Sequence, residues 1–177
     1  SLSRLMIGAE PPELTHRPVH AGAVVLGVQG LNLARTDPFS VDLIDVDFHV
    51  RAGEVVGMAG VSGNGQKELL YALSGEDQRA APAMVQLAGQ SAGHLDPRAR
   101  RALGLHFVPE ERLGRGAVPS MGLAHNLLLT RSDAVGALGW IDMGKLQAQA
   151  QRIIERFRVK AGGVNAPAQS LSGGNLQ

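Results

Sequence analysis

Between Gly53 and Leu70 an apolar run, Val55 to Ala59, leads into three closely spaced glycines, Gly60, Gly63 and Gly65, and then into a stretch of helical character from Lys67 to Leu73. This order predicts a buried strand, a glycine-rich turn and a helix ending near Ser74-Gly75. Glycines let the backbone come close to an anion, and successive N–H groups then point inward at it. The N-terminus of the following helix adds a favourable dipole. Gly60, Ser62, Gly63, Asn64, Gly65, Gln66, Lys67 and Glu68 are therefore candidate residues of a phosphate-cradling loop.

The side chains of that loop depart from the working pattern, G-x-x-x-x-G-K-[ST]. Gly60 and Gly65 hold the glycine positions, but Gln66 stands where the lysine belongs and Lys67 where the magnesium-binding hydroxyl belongs. Gln66 is neutral and cannot balance phosphate charge. Lys67 is one residue further on, which turns it about 100° around a helix and away from the same phosphates. Glu68 adds a negative charge in the first helical turn. The backbone of an anion cradle is expected here without the side chains of catalysis. By itself the motif also fits a tight strand-to-helix turn that holds no ligand.

The 177 residues suffice for one domain with a real core. At 44% hydrophobic and 19% charged residues, with a net charge of +1, the chain reads as globular and offers no dominant surface for a polyanion, so no nucleic-acid partner is expected. Arg98, Arg100 and Arg101 are the tightest basic group and read as a solvated helix face. Zero cysteines exclude disulfides and cysteine metal sites. His16, His20, His49, His94, His106 and His125 have no metal-site spacing, so no metal ligand is assigned. No apolar run approaches a membrane span, and no signal peptide is visible.

Read in order, the chain opens on a short amphipathic end, Ser1 to Ile7, and a proline-broken linker over 8–20. Strands are expected over Ala23–Leu33 and Val41–Val50, the second by its alternation. Met84 to Leu87 and Leu105 to Val108 are further strand candidates, the latter buried. Asp96-Pro97 predicts the start of a short helix closed by Gly104. Leu123 to Thr130 is a helix. Asp142 reads as the N-cap of the longest one, Met143 to Arg158, ended by Ala161-Gly162-Gly163, with Met143, Leu146, Ala150, Ile153, Ile154 and Phe157 on one face.

A second motif, Leu171-Ser172-Gly173-Gly174-Asn175, follows the glycine loop by about 110 residues, with a helical stretch between. A hydroxyl beside bare backbone N–H groups is suited to an anion. With the strand-end segment Val108-Pro109-Glu110-Glu111-Arg112-Leu113-Gly114-Arg115-Gly116 between them, these motifs resemble an ATP-binding cassette ATPase. In detail they resemble the second, degenerate cassette of tandem importer ATPases for simple sugars and nucleosides. The opening Leu5-Met6-Ile7-Gly8 is similar to the end of the first cassette in that family.

The resemblance covers essentially the whole chain, and what it implies is specific. The fold class is α/β, P-loop NTPase-like: a mixed sheet core with an antiparallel part and a helical subdomain, incomplete at the C-terminus. Residues 1–20 would be the tail of a preceding cassette and a linker. Residues 21–177 would be the incomplete cassette, with the helical subdomain at about 123–168. Gly60 to Glu68 would be a degenerate Walker A, Glu110 would stand at the Q-loop glutamine, and Leu171, Ser172, Gly173, Gly174 and Asn175 would be the signature. Asn175 stands where glutamine is usual, as is common in this branch. Phe39, 27 residues before Gln66, would be the adenine-stacking aromatic, with a core phenylalanine the equal alternative.

Cassettes of this family pair head to tail, each ATP lying between one Walker A and the opposite signature. The resemblance thus implies ATP, with Mg2+ mainly at the partner's site, and contact of Ser172, Gly173 and Gly174 with a γ-phosphate. It implies as partners the other cassette of the same polypeptide, the membrane permease subunits facing the loop from Glu110 to Ser120, and, indirectly, a solute-binding protein. The location implied is peripheral, on the cytoplasmic face of the cell membrane. The Walker B carboxylates and switch histidine would lie beyond Gln177, so the parent would be a transport-coupled ATPase and this chain inactive alone. The terminal Asn175-Leu176-Gln177 is expected to be loose. The competing classes are a non-transport cassette ATPase of DNA repair or translation, and a purely regulatory nucleotide-binding module.

Overall fold

A computed structural model describes residues 20–131, 136–137 and 140–176. The expected N-terminal tail and most of the linker, and Gln177, lie outside the described residues. The chain divides into two compact units, residues 1–73 with 79–94, and residues 74–78 with 95–177.

The first unit is built on an antiparallel sheet. Strands β1 (Val24–Leu33), β2 (Leu43–Arg51), β3 (Val85–Leu87) and β4 (Gln90–Ser91) lie in the order β2-β1-β3-β4. Three register shifts interrupt the β1–β2 ladder, two of them around Gly30 and Asp45, both at positive φ. These two are pinned by side chains: Asp47 Oδ1 accepts from Gly30 N, and Asn32 Oδ1 accepts from Asp45 N. Val28, Leu31, Leu33, Leu43, Ala72 and Ala80 form the core, with Leu69 and Leu73 packed against it. The latter two belong to α1 (Gln66–Ser74), the helix that follows the glycine loop. Burial of this helix face against the sheet thus fixes the loop's C-terminal end.

The stretch expected to be a buried strand before the loop is not one. Residues 54–61 are irregular, with Val55 95% and Met58 53% exposed. Apolar sequence makes a strand only where neighbours take its N–H and C=O groups and cover its faces. Among the described residues no strand pairs with it. Leu105 to Val108 corrects the same way: irregular, with Val108 67% exposed.

The second unit is mainly helical. Asp96 caps α2 (Pro97–Ala102), its carboxylate accepting from Ala99 N at 2.7 Å, and Gly104 ends it at φ +94°. Arg100 on this helix is wholly buried, not part of a solvated face; its Nε donates to Leu95 O at 3.0 Å, and desolvation pushes its guanidinium below the ordinary arginine value. Helix α3 (Leu123–Leu129) packs on α4 (Met143–Phe157) through Ala124, Leu146 and Ala150. A small hairpin, β5 (Gly136–Ala137) with β6 (Trp140–Ile141), precedes α4. Asp142 is the N-cap of α4, as its position predicts, accepting from Lys145 N. The helix ends earlier than Ala161-Gly162-Gly163: Arg158 takes a left-handed conformation at φ 53° and closes it. A last helical turn, α5 (Gly173–Leu176), follows.

Candidate functional site

The glycine loop of the first unit turns at two glycines. Gly63 and Gly65 sit at φ +88° and +99°, conformations that side chains rarely adopt. Gly65 is buried against Leu43 and Val41, which seats the loop on the sheet. Gln66 opens α1 immediately after it, and Glu68 lies in the first turn.

The side chains do what the spacing only partly foretells. Gln66 folds back over the loop: Oε1 accepts from Asn64 N at 3.1 Å, and Nε2 donates to Val61 O at 3.0 Å. Asn64 Nδ2 donates to the same carbonyl at 3.1 Å. The Gln66 amide lies so close to Gly60 that a β-carbon there would stand 2.6 Å from Nε2. Lys67 leaves the loop, its Nζ 5.6 Å from the centre of the Tyr71 ring one turn along the helix. Ser62 is exposed. Phe39 is 98% exposed on a turn where Asp37 Oδ1 accepts from its N–H, so the core alternative for it is overturned. The Gln66 carboxamide thus takes the loop's Val61 carbonyl and Asn64 N–H.

In the second unit, Leu171 to Asn175 form a small, internally braced surface. Asn175 Oδ1 accepts from Lys160 N at 3.0 Å, and its Nδ2 donates to Ser172 Oγ at 2.8 Å. Asn175 and Leu176 also donate their backbone N–H groups to Ser172 O, each at 3.0 Å. The Asn175 side chain ties the turn to the segment after α4. Ser172 and Gly174 are exposed. Ser172 Oγ accepts in this network, and a hydroxyl that accepts can still donate its own hydrogen.

The segment from Pro109 to Gly116 comes to this surface through Arg112, whose guanidinium lies against Gly173. Glu110 is exposed. Its neighbour Glu111 accepts from Arg115 Nη1 at 3.4 Å, and Arg115 also pairs with Glu76 and lies 5.9 Å from the Phe107 ring centre. Asn126 of α3 holds the far end of the loop: Val118 N donates to its Oδ1 at 2.7 Å, and its Nδ2 donates to Met121 O at 2.9 Å. Phe107, Arg115 and Asn126 line a cavity of about 270 Å³ in this unit. Spacing could not reveal the Arg112–Gly173 contact.

The described histidines, His20, His49, His94, His106 and His125, are exposed. No helix among the described residues is long and apolar enough to cross a membrane.

No family model matches the chain. Curated relatives match it from end to end. It is similar to the ribose import ATP-binding protein RbsA of Pseudomonas putida, 36% identical over 99% of this chain and 33% of the relative. It is also similar to the glucose import ATP-binding protein TsgD13 of Haloferax volcanii, 38% identical over 99% of this chain and 32% of the relative. The guanosine import ATP-binding protein NupO of Bacillus subtilis is 32% identical over 99% of this chain and 35% of its own length. The chain thus spans about a third of the length of the relatives it matches.

Proposed function

We propose, on the premise that this chain is homologous along its whole length to a third of the sugar and nucleoside import ATP-binding proteins, that it serves as the second, degenerate cassette of such an importer. Its parent would be the ATP-binding subunit of an importer for a simple sugar or a nucleoside, peripheral on the cytoplasmic face of the membrane. The relatives' full length leaves room for a first cassette in the same polypeptide. Permease subunits would be the membrane partners.

One observation carries the reading. The loop at Gln66 is closed on itself and its lysine is turned away, whereas the surface at Ser172 is exposed and braced. A chain with the first feature cannot stabilise charge developing on its own nucleotide. A chain with the second can supply donors to someone else's. ATP with Mg2+ at the partner cassette supplies the phosphoryl group and its charge neutralisation. The Ser172 hydroxyl and the N–H groups of Gly173 and Gly174 would be aimed at the γ-phosphate oxygens from the opposite side. Phe39, already exposed, would be available to stack on a base at this chain's own weak site. Glu110 at the Q-loop position would add negative charge near that site and further disfavour turnover.

The test is direct. The purified chain is titrated with a fluorescent ATP analogue and assayed for phosphate release with magnesium. Weak binding without turnover is expected; magnesium-dependent turnover by residues 1–177 would overturn the assignment of this cassette as degenerate.

A further inference from the structure

We propose that Gln66 is a built-in occupant of the glycine loop, its carboxamide standing where a phosphate would be received and weakening the loop's hold on nucleotide. The inference deepens the reading of Gly60–Glu68 as a degenerate phosphate loop and rests on it.

The argument is one of donors and acceptors. A phosphate loop works because backbone N–H groups inside it lack partners until an anion arrives. A lysine at this position carries donors and no acceptor. It can meet a loop carbonyl such as that of Val61, but it leaves the Asn64 N–H open to a phosphate oxygen. A glutamine carries both kinds of group. Its Nε2 takes the Val61 carbonyl, and its Oε1 takes the Asn64 N–H, the group an anion needs. Replacing lysine by glutamine therefore does more than remove a charge. It supplies an internal, neutral substitute for the phosphate oxygen. Gly60 accommodates it, because any side chain there would collide with the Gln66 amide. Glu68, in the first turn of the following helix, adds repulsion toward an incoming anion while profiting from the helix dipole.

An ordered but self-filled loop has a use in a cassette whose task is to complete its neighbour's site. The loop keeps its folded shape without nucleotide, so the cassette need not cycle through an empty, disordered state.

The experiment uses the whole chain as wild type, Gln66→Met and Gln66→Ala. Methionine keeps the length and helix propensity while removing both hydrogen bonds; alanine empties the loop. Two quantities are read: hydrogen exchange at the Asn64 amide, and affinity for pyrophosphate by calorimetry. Faster Asn64 exchange and about five- to tenfold tighter pyrophosphate binding in both variants are expected, from the release of a typical hydrogen bond. Unchanged Asn64 exchange would overturn the inference. Pyrophosphate bound equally by all three chains would overturn it alone and leave the phosphate-loop reading standing. No pyrophosphate bound by any of them would remove that reading and the inference together.

Discussion

The guanidinium of Arg112 lies over the α-carbon of Gly173, in the space where any other residue would place its first side-chain carbon. Gly173 does not need to be glycine for its backbone angle, since its φ is not positive. It needs to be glycine so that the Pro109–Gly116 segment and the Ser172 surface can touch. Gly173→Ala is therefore predicted to push the flexible end of Arg112 aside. Melting should change little, by roughly 0.5 kcal/mol or less. ATPase of a full-length parent carrying this chain should fall. Arg112→Ala and Gly173→Ala should be non-additive in that activity, as expected of one contact broken twice. Additive losses would mean the contact is incidental.

Gln66→Lys alone is predicted not to make this site hydrolyse ATP. The new lysine would open the Asn64 N–H, but on the proposed assignment Lys67 would still occupy the hydroxyl position and Glu110 the place of the Q-loop amide. The assay belongs in the parent with the first cassette's own lysine removed. Robust turnover from the single change would show that the remaining substitutions are harmless.

The sequence was a good guide wherever a local rule decides the structure. Asp96-Pro97 and Asp142 announce helix starts, and both stand where expected. It was a poor guide where the outcome depends on distant neighbours. Val55–Ala59 has the composition of a buried strand, yet a strand exists only with a ladder partner, and none pairs with it among the described residues. Arg98, Arg100 and Arg101 look alike in one dimension, but only Arg100 points into the unit, beneath Gly75 and onto the Leu95 carbonyl. Spacing proposed which residues make up the glycine loop. The direction of Gln66, back into its own loop, was not, because a missing lysine says nothing of what its replacement will bond.

Arg100→Ala is predicted to destabilise the chain by roughly 2–4 kcal/mol, from the emptied volume and the Leu95 carbonyl left without this donor. Arg100→Lys should rescue little, because it lacks the Nε donor that reaches that carbonyl. Urea denaturation reads the midpoint shift; a lysine variant as stable as wild type would contradict the role given to Nε.

Asp142 makes the capping of α4 pH-dependent. Hydrogen bonding to Lys145, first through its backbone N–H, holds the Asp142 carboxyl below the usual aspartate value. A carboxyl with a lowered folded value stabilises fully above its unfolded pKa and loses that contribution as pH falls through the folded one. Asp142→Asn keeps a capping oxygen without the titration. Its melting temperature should therefore vary less with pH than that of wild type over the acid range. An identical pH profile would show that the cap contributes nothing through ionisation.

The central claim is that this chain works through its signature surface and not through its own glycine loop. The measurement is steady-state ATPase of the reconstituted full-length transporter carrying Ser172→Arg or Gly60→Asp, with folding of each checked by melting. Removing a donor aimed at transition-state charge typically costs about 10²–10³ in rate. Ser172→Arg is predicted to abolish most activity although the other cassette's loop is untouched, while Gly60→Asp costs far less. Full activity with Ser172→Arg would contradict the account.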